Sequence, residues 1–267
     1  MKIAILGSTG LLGNTVAKHF LSNTKYEVVC THRNEKVKVK DDSVYFDALE
    51  PNFSFLDKCD YVINCIGIIK PFMKEDLTNN IYINAIFPRK LSDYCESKKV
   101  KLIHITTDCV FSGKDGNYSE SSLHDCLDEY GKSKSLGEPN NCMVIRTSII
   151  GEEIHKNASL ISWAKSMRGK EVNGFLNHLW NGITTKRYAE ICEEIIKNNL
   201  FEIGLFHIYS NYLSKFELLH LINKKFDLQL KINQHFDNIS IDRRLITHKN
   251  LKSNISFKSI QQQIEEL

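Results

Sequence analysis

Lys2–Leu6 is a short apolar run, followed at once by Gly7-Ser8-Thr9-Gly10-Leu11-Leu12-Gly13 and then by the helical periodicity of Asn14–Leu21. A strand, a glycine turn and a helix in that order open a βαβ unit, which constrains the fold more than any other feature of the chain. A right-handed crossover returns the chain parallel to its first strand, so further strands must alternate with helices. Glu27–Thr31, Ser43–Phe46, Tyr61–Ile66, Val100–Ile105 and Met143–Ile145 are the matching runs, rich in β-branched residues, and Ile86–Lys98 repeats its apolar residues at helical spacing. Near-continuous apolar strands belong to a sheet covered on both faces. The expected architecture is α/β: a doubly wound parallel sheet over 1–148 and a smaller, mainly helical lobe over 149–267, interleaved with the first. In that lobe Ala158–Lys170, Thr185–Asn198, Lys215–Phe226 and Ser259–Leu267 read as helices, with strands at Gly204–Tyr209 and Gln229–Ile232. No low-complexity linker divides the halves, so a ligand cleft between packed halves is expected.

The glycine turn stands where a pyrophosphate-binding loop would stand. Gly7 permits a tight turn, Gly10 lets the backbone N–H groups of Thr9, Gly10, Leu11 and Leu12 approach a phosphate, and Gly13 allows the helix to lie close to the strand. A dinucleotide would then meet the end of the second strand with its ribose. An NAD site places Asp or Glu there, whereas this chain has Thr31-His32-Arg33, and Arg33 with His32 suits a 2′-phosphate. NADPH is therefore the expected cofactor; NADH stays open, since Glu35 is two residues further on. Asp47 either contacts the adenine or caps the next turn. Cys65-Ile66-Gly67 closes the fourth strand at the edge where the nicotinamide half would lie.

Composition removes several classes. The net charge of +3, from 35 basic and 32 acidic residues, argues against a nucleic-acid binder and a membrane surface. The 8 cysteines include no CxxC and no metal-like grouping with histidine, so no metal site is expected and the thiols read as free, in a cytoplasmic protein. The apolar N-terminal run is too short for a signal peptide or a membrane span.

The reaction chemistry is carried by Tyr130 and Lys134 in DEYGKSKSLGE. At i and i+4 on a helix they share one face, so the ammonium sits near the phenol and favours its ionised form. Tyr94 and Lys98 have the same spacing, and composition alone makes about one such pair. Only Tyr130 follows a strand, HITTDCVF, whose end supplies a second hydroxyl, Thr107 or, one register away, Thr106.

GSTGLLG, VINCIGI, INAIFPRKL, HITTDCVF, DEYGKSKSLGE and MVIRTSIIG occur in the order and spacing of the extended short-chain dehydrogenase/reductases. The chain resembles most the dTDP-4-dehydrorhamnose reductases, over residues 1–151 and again near HLWNGITT and the last helix. The resemblance implies a Rossmann-type fold and NADPH-dependent reduction of a 4-keto group on a nucleotide-linked sugar. It also implies Thr107 as the hydroxyl that holds the carbonyl oxygen, Tyr130 as the acid, and Lys134 as the residue that binds the nicotinamide ribose and lowers the Tyr130 pKa. Asn84 would stabilise a helix bend ahead of Pro88. Asp108, Ile149 and Trp180 would face the sugar, although Trp180 equally suits a core. A homodimer is left open, and no glutamate matches those through which some relatives dimerise with magnesium.

Three departures lie near the sugar: Cys109 where relatives have Tyr, Ile149 where they have Trp, and Thr184 where they have Pro. Arg243 and Arg244, or Lys165 and Arg168, are candidates for a nucleotide diphosphate or simply surface charges. A 4,6-dehydratase of this fold needs a glutamate after the Thr-Asp pair, and Cys109 stands there. A 4-epimerase uses the same Thr, Tyr and Lys with tightly held NAD. A non-catalytic relative, the regulatory subunit of methionine adenosyltransferase, marks a third possibility.

Overall fold

The computed structural model describes residues 1–153 and 158–267. In chain order the elements are β1 (Lys2–Leu6), α1 (Leu11–Leu21), β2 (Glu27–His32), β3 (Val44–Tyr45), β4 (Tyr61–Asn64), α2 (Leu77–Ile81), α3 (Phe87–Ser97), β5 (Lys101–Thr106), α4 (Glu129–Leu136) and β6 (Met143–Arg146). There follow β7 (Ile149–Ile150), α5 (Leu160–Ser166), β8 (Glu171–Phe175), β9 (His178–Trp180), β10 (Ile183–Thr184), α6 (Thr185–Lys197), β11 (Gly204–His207), β12 (Leu213–Ser214), α7 (Lys215–Phe226), β13 (Lys231–His235), β14 (Ile241–Asp242) and α8 (Ile260–Glu265).

Seven parallel strands form the central sheet in the order β11-β6-β5-β4-β1-β2-β3. The chain runs outward from β1 to β3 and then crosses to β4, so the order reverses between β1 and β4, where such sheets open a crevice at their carboxyl ends. Alternate residues of each strand feed separate cores. Ile3, Ile5, Ile63, Ile103 and Ile145 pack with α1 (Val16, Phe20) and α6 (Tyr188, Ile195). Ala4, Leu6, Val62, Leu102 and Val144 pack with Phe87, Leu91 and Cys95 of α3 on the other face. Each such burial is worth about 1.5–3 kcal/mol for a Val- to Phe-sized side chain, so a one-residue slip would exchange the two cores and is strongly disfavoured.

The seventh strand comes from late in the chain: Gly204 of β11 pairs with Met143 of β6, and α6 just before it lies against α1. The remaining strands form small sheets, β7 with β10, β8 with β13, and β9 between β12 and β14. They join α5, α7 and α8 around a third core that includes Ile161, Trp180, Leu218, Ile222 and Ile264. The helix expected over Ala158–Lys170 is shorter. Ser159 caps it by accepting from Ser162 N at 3.2 Å, and Gly169, at φ 71°, turns the chain into β8 while its N–H reaches Leu228 O at 2.9 Å.

Before α3 the chain makes a wide π turn over Tyr82–Ile86. Pro88 explains it, since proline offers no N–H and its ring would crowd the carbonyl four residues back, that of Asn84. The Asn84 side chain locks the turn: Oδ1 accepts from Ile68 N at 2.8 Å, and Nδ2 donates to Ile68 O at 2.9 Å and to Ser133 Oγ at 3.2 Å. Its carbonyl meets Gly137, where a Cβ would lie only 1.8 Å away, so only glycine lets the end of α4 sit against this turn.

Candidate active site

The glycine loop is shaped by close approach. Gly7 has φ 75°, and a Cβ on Gly13 would lie 2.1 Å from Gly7 O, so α1 could not rest on β1 with a side chain there. The loop is tied to β2: Gly7 N donates to Thr31 Oγ1 at 2.9 Å, and Ser8 Oγ donates to Thr31 O at 2.6 Å. At the start of α1 no side chain caps the helix and no acidic residue occupies the first turn. The N–H groups of Leu11, Leu12 and Gly13 therefore have no intrahelical acceptor, beside a solvent-exposed Gly10. This is an anion cradle at a helix N-terminus, and it fits a pyrophosphate.

At the end of β2, His32 is buried against Tyr45, while Arg33 is exposed and makes no ion pair among the described residues. Glu35 is occupied by Lys38 and lies 3.5 Å from His32. Asp47 accepts from Leu49 N at 2.9 Å, so one of its oxygens caps the local turn. After β4, Cys65 N is bonded to Leu6 O at 3.0 Å, Ile66 packs on Gly7, and Gly67 is exposed next to Asn84 and Lys134.

Thr107, Tyr130 and Lys134 converge at the carboxyl end of β5. Asp128 caps α4 through Gly131 N at 2.8 Å and is itself paired with Lys70 at 2.8 Å, which pins the turn that carries Tyr130. Lys134 is only 5% exposed, and its Nζ donates to Ile105 O at 3.2 Å. Burial holds its ammonium down to about 8, against the opposing charge of Glu138. Thr107 Oγ1 donates to Asp108 Oδ1 at 3.1 Å and accepts from Cys109 N at 3.1 Å, so this hydroxyl caps the turn after β5 as well as facing Tyr130. Thr106 Oγ1 is buried without a hydrogen-bond partner, as alternation along the strand requires.

One electrostatic expectation is corrected. The Tyr130 phenol is pushed well above its ordinary value, chiefly by burial and then by the Cys109 and Asp108 side, with the Thr107 hydroxyl opposing. Lys134 is not among the groups that move it. In this state the phenol is a firmly protonated acid.

On the sugar side, Asp108 is 4% exposed, and burial raises its carboxyl against the pull of Arg243 and Lys215. Trp180, left open between stacking and core, is core: it is 4% exposed and the Lys215 ammonium lies 4.9 Å over its ring. Ile149 is half-buried on β7, paired with Ile183 of β10. Thr184, where relatives have proline, donates its N–H to Gln263 Oε1 at 2.9 Å and caps α6, a bond proline could not make. Arg243 donates to the carbonyls of Phe111 at 2.9 Å and Ser112 at 3.2 Å, whereas Arg244 pairs with Asp242. Lys215 is the residue that reading the sequence missed. Its signal is a cation at the first position of a helix opened by the Ser214/Glu217 capping box, against the helix dipole.

A dinucleotide cradle at the switch point of a parallel sheet, with Thr, Tyr and Lys at the neighbouring strand end, is the arrangement of an extended short-chain dehydrogenase/reductase. The family model described as the RmlD substrate binding domain matches residues 1–261, and the chain belongs to that family. A dTDP-4-dehydrorhamnose reductase of Aggregatibacter actinomycetemcomitans is 26% identical over 220 residues, 77% of this chain and 72% of the relative. Methionine adenosyltransferase 2 subunit beta of Bos taurus is 25% identical over 246 residues, covering 85% and 72%. The crystal structure of a dTDP-4-dehydrorhamnose reductase from Bacillus anthracis in complex with NADP superposes with a TM-score of 0.78, covering 99% of this chain and 97% of that one. At 19% identity that likeness is one of fold. No helix among the described residues is long and apolar enough to cross a membrane.

Proposed function

We propose that the protein uses NADPH to reduce a ring keto group, at C4, of a nucleotide-linked sugar. The observation that carries this is the convergence of Thr107, Tyr130 and Lys134 beside the exposed Gly67, at the same sheet edge as the open N–H groups of α1. A bound reduced nicotinamide supplies a hydride to the carbonyl carbon. The chain's own part is acid catalysis and orientation. The Thr107 hydroxyl, whose one proton now goes to Asp108 Oδ1, turns to donate it to the carbonyl oxygen, and Tyr130 Oη delivers its proton to that oxygen as the carbonyl becomes an alcohol. The raised phenol pKa keeps the proton in place until negative charge builds on the oxygen. The ammonium of Lys134 has three donors and one is engaged at Ile105 O, so two remain for the cofactor's ribose hydroxyls. Arg33, with no carboxylate partner among the described residues, suits a 2′-phosphate, and Arg33→Asp should reverse the preference for NADPH over NADH by about 10- to 100-fold.

The test is purified protein with NADPH and a panel of dTDP-, UDP- and GDP-linked 4-keto sugars. Loss of reduced-nicotinamide absorbance, with a product heavier by two hydrogens, is expected; an inert protein across the panel would remove the reading. The likeness to methionine adenosyltransferase 2 subunit beta, which covers more of the chain than the reductase match, favours a second reading as a binding subunit. Co-purification with a methionine adenosyltransferase, combined with inertness on the panel, would favour it.

A further inference from the structure

Two cations flank the strand that carries Trp180. Lys215 follows β12, which pairs with Trp180 itself (Leu213 to Trp180), and its ammonium lies 4.9 Å over the indole. Arg243 follows β14 on the other side of the same strand and donates its backbone N–H to Leu179 O at 3.3 Å. Its guanidinium reaches the carbonyls of Phe111 and Ser112, at the end of the turn that begins with Asp108. Neither cation has a carboxylate within ion-pair distance among the described residues. Asp108 between them is held by the Thr107 hydroxyl. Of the other acids near Arg243, Asp125 is bonded to Ser112 and Asp128 is committed to Gly131 and Lys70. Asp108 is thus the one nearby carboxylate without an ion pair, set against two cations, and burial disfavours the charge of Lys215 while Asp108 and Cys109 favour it.

Resting on the reading of a nucleotide-sugar reductase, we infer that Lys215, seconded by Arg243, binds an acidic group on the sugar ring, a carboxylate of the uronic acid kind. Its position separates this from the nucleotide's diphosphate. Arg243 bonds the carbonyls of Phe111 and Ser112, on the turn that leaves Thr107, and Lys215 stands across the Trp180 strand from it within reach of the charge of Asp108, which places the pair at the end of the cleft where the reacting carbon would lie. In a pyranose, C1, which carries the diphosphate, stands across the ring from C4, so a diphosphate would lie away from the end that holds the reacting carbon. Cys109, short where relatives carry tyrosine, leaves room for a substituent there. Lys215 and Arg243 are half-buried and lack an ion pair among the described residues, so a charged ligand group that supplies one gains affinity and selectivity.

Binding can be measured without turnover. The protein, saturated with NADP⁺, is titrated calorimetrically with UDP and dTDP, each free, as the glucose conjugate and as the glucuronic acid conjugate. The glucuronic acid conjugates are expected to bind about 10- to 100-fold more tightly than the glucose conjugates. Lys215→Met should erase that gap and leave the free diphosphates unchanged, with Lys215→Arg keeping part of it. Equal affinity for the neutral and acidic sugars would overturn the inference and leave the reductase reading standing. So would a Lys215→Met variant that weakens the free diphosphates as much as the conjugates, since the lysine would then serve the nucleotide. If none of the nucleotides binds, both readings fall together.

Discussion

Tyr94 with Lys98 on α3 and Tyr130 with Lys134 on α4 have the same spacing, and the sheet treats them differently. Tyr94 donates its hydroxyl to Asp57, and Lys98 donates to the other oxygen of that carboxylate at 3.1 Å while lying 5.5 Å over the tyrosine ring. Burial, then the hydrogen bond to Asp57, pushes the Tyr94 phenol up to about 12, and the same bond lowers Asp57. Each polar group of this pair has a partner, so nothing is left for a ligand. Lys134 has no ion pair among the described residues, is buried, and spends one donor of three on a carbonyl. The difference follows from where each pair sits along its helix. Tyr94 and Lys98 are at the last turn of α3, just before β5 begins, and so at the amino edge of the sheet. Tyr130 is in the first turn of α4, on the connection that leaves β5, and so at the carboxyl edge where the crevice opens.

Substitution of the two tyrosines should separate the pairs most widely. Tyr130→Phe should lower kcat for the keto sugar by about 100-fold or more, as expected for loss of a general acid, and Tyr94→Phe should leave it unchanged. Steady-state NADPH oxidation reads both, and a fully active Tyr130→Phe protein would erase the distinction drawn here.

The lysines come next. Lys134→Met should weaken NADPH binding by about 10-fold or more in a fluorescence titration, whereas Lys98→Met should not. The same change should make the fold more stable. Relieved of a buried charge whose pKa has fallen from 10.5 to about 8, Lys134→Met should gain about 2 kcal/mol, less the lost bond to Ile105, seen as a higher Tm. Lys98→Met should stay within about 0.5 kcal/mol.

A pH series sharpens the point. Between about pH 8 and 10.5 the unfolded chain keeps a proton on Lys134 that the folded chain has released. The unfolded state therefore binds more protons, and the contribution of this group makes stability rise with pH across that window. Denaturant titrations should show the rise in the parent and its loss in Lys134→Met. Asp57→Asn, at the exposed pair, should cost less than about 1 kcal/mol and leave kcat alone, the smallest effect of the set.

Much of this was legible in the residues. The glycine spacing, the alternation of apolar strands with helices, and the helical pattern over Lys215–Phe226 are local signals, and the elements formed within a few residues of where those signals stand. The cradle at Gly7–Gly13 was readable for the same reason. Less readable was the π turn ahead of Pro88: the proline announced a break, but its form depends on Asn84 bonding Ile68 across the crevice and on Gly137 accepting its carbonyl. Lys215 carried only a faint signal, a cation at the wrong end of a helix.

What the sequence by itself determined was the α/β plan, the dinucleotide loop and the identity of the Thr, Tyr and Lys that could act together. Periodicity, turn chemistry and residue type suffice for the plan, the loop and the Tyr–Lys pair, while the choice of Thr107 over Thr106 came from the family resemblance. Only the tertiary structure decided that burial raises the Tyr130 phenol, that Trp180 is core, and that Lys215 and Arg243 stand without an ion pair among the described residues. The physical reason is common to all three: desolvation and the absence of a partner are properties of the assembled surroundings, set by residues as distant in sequence as Asp108, Lys215 and Arg243.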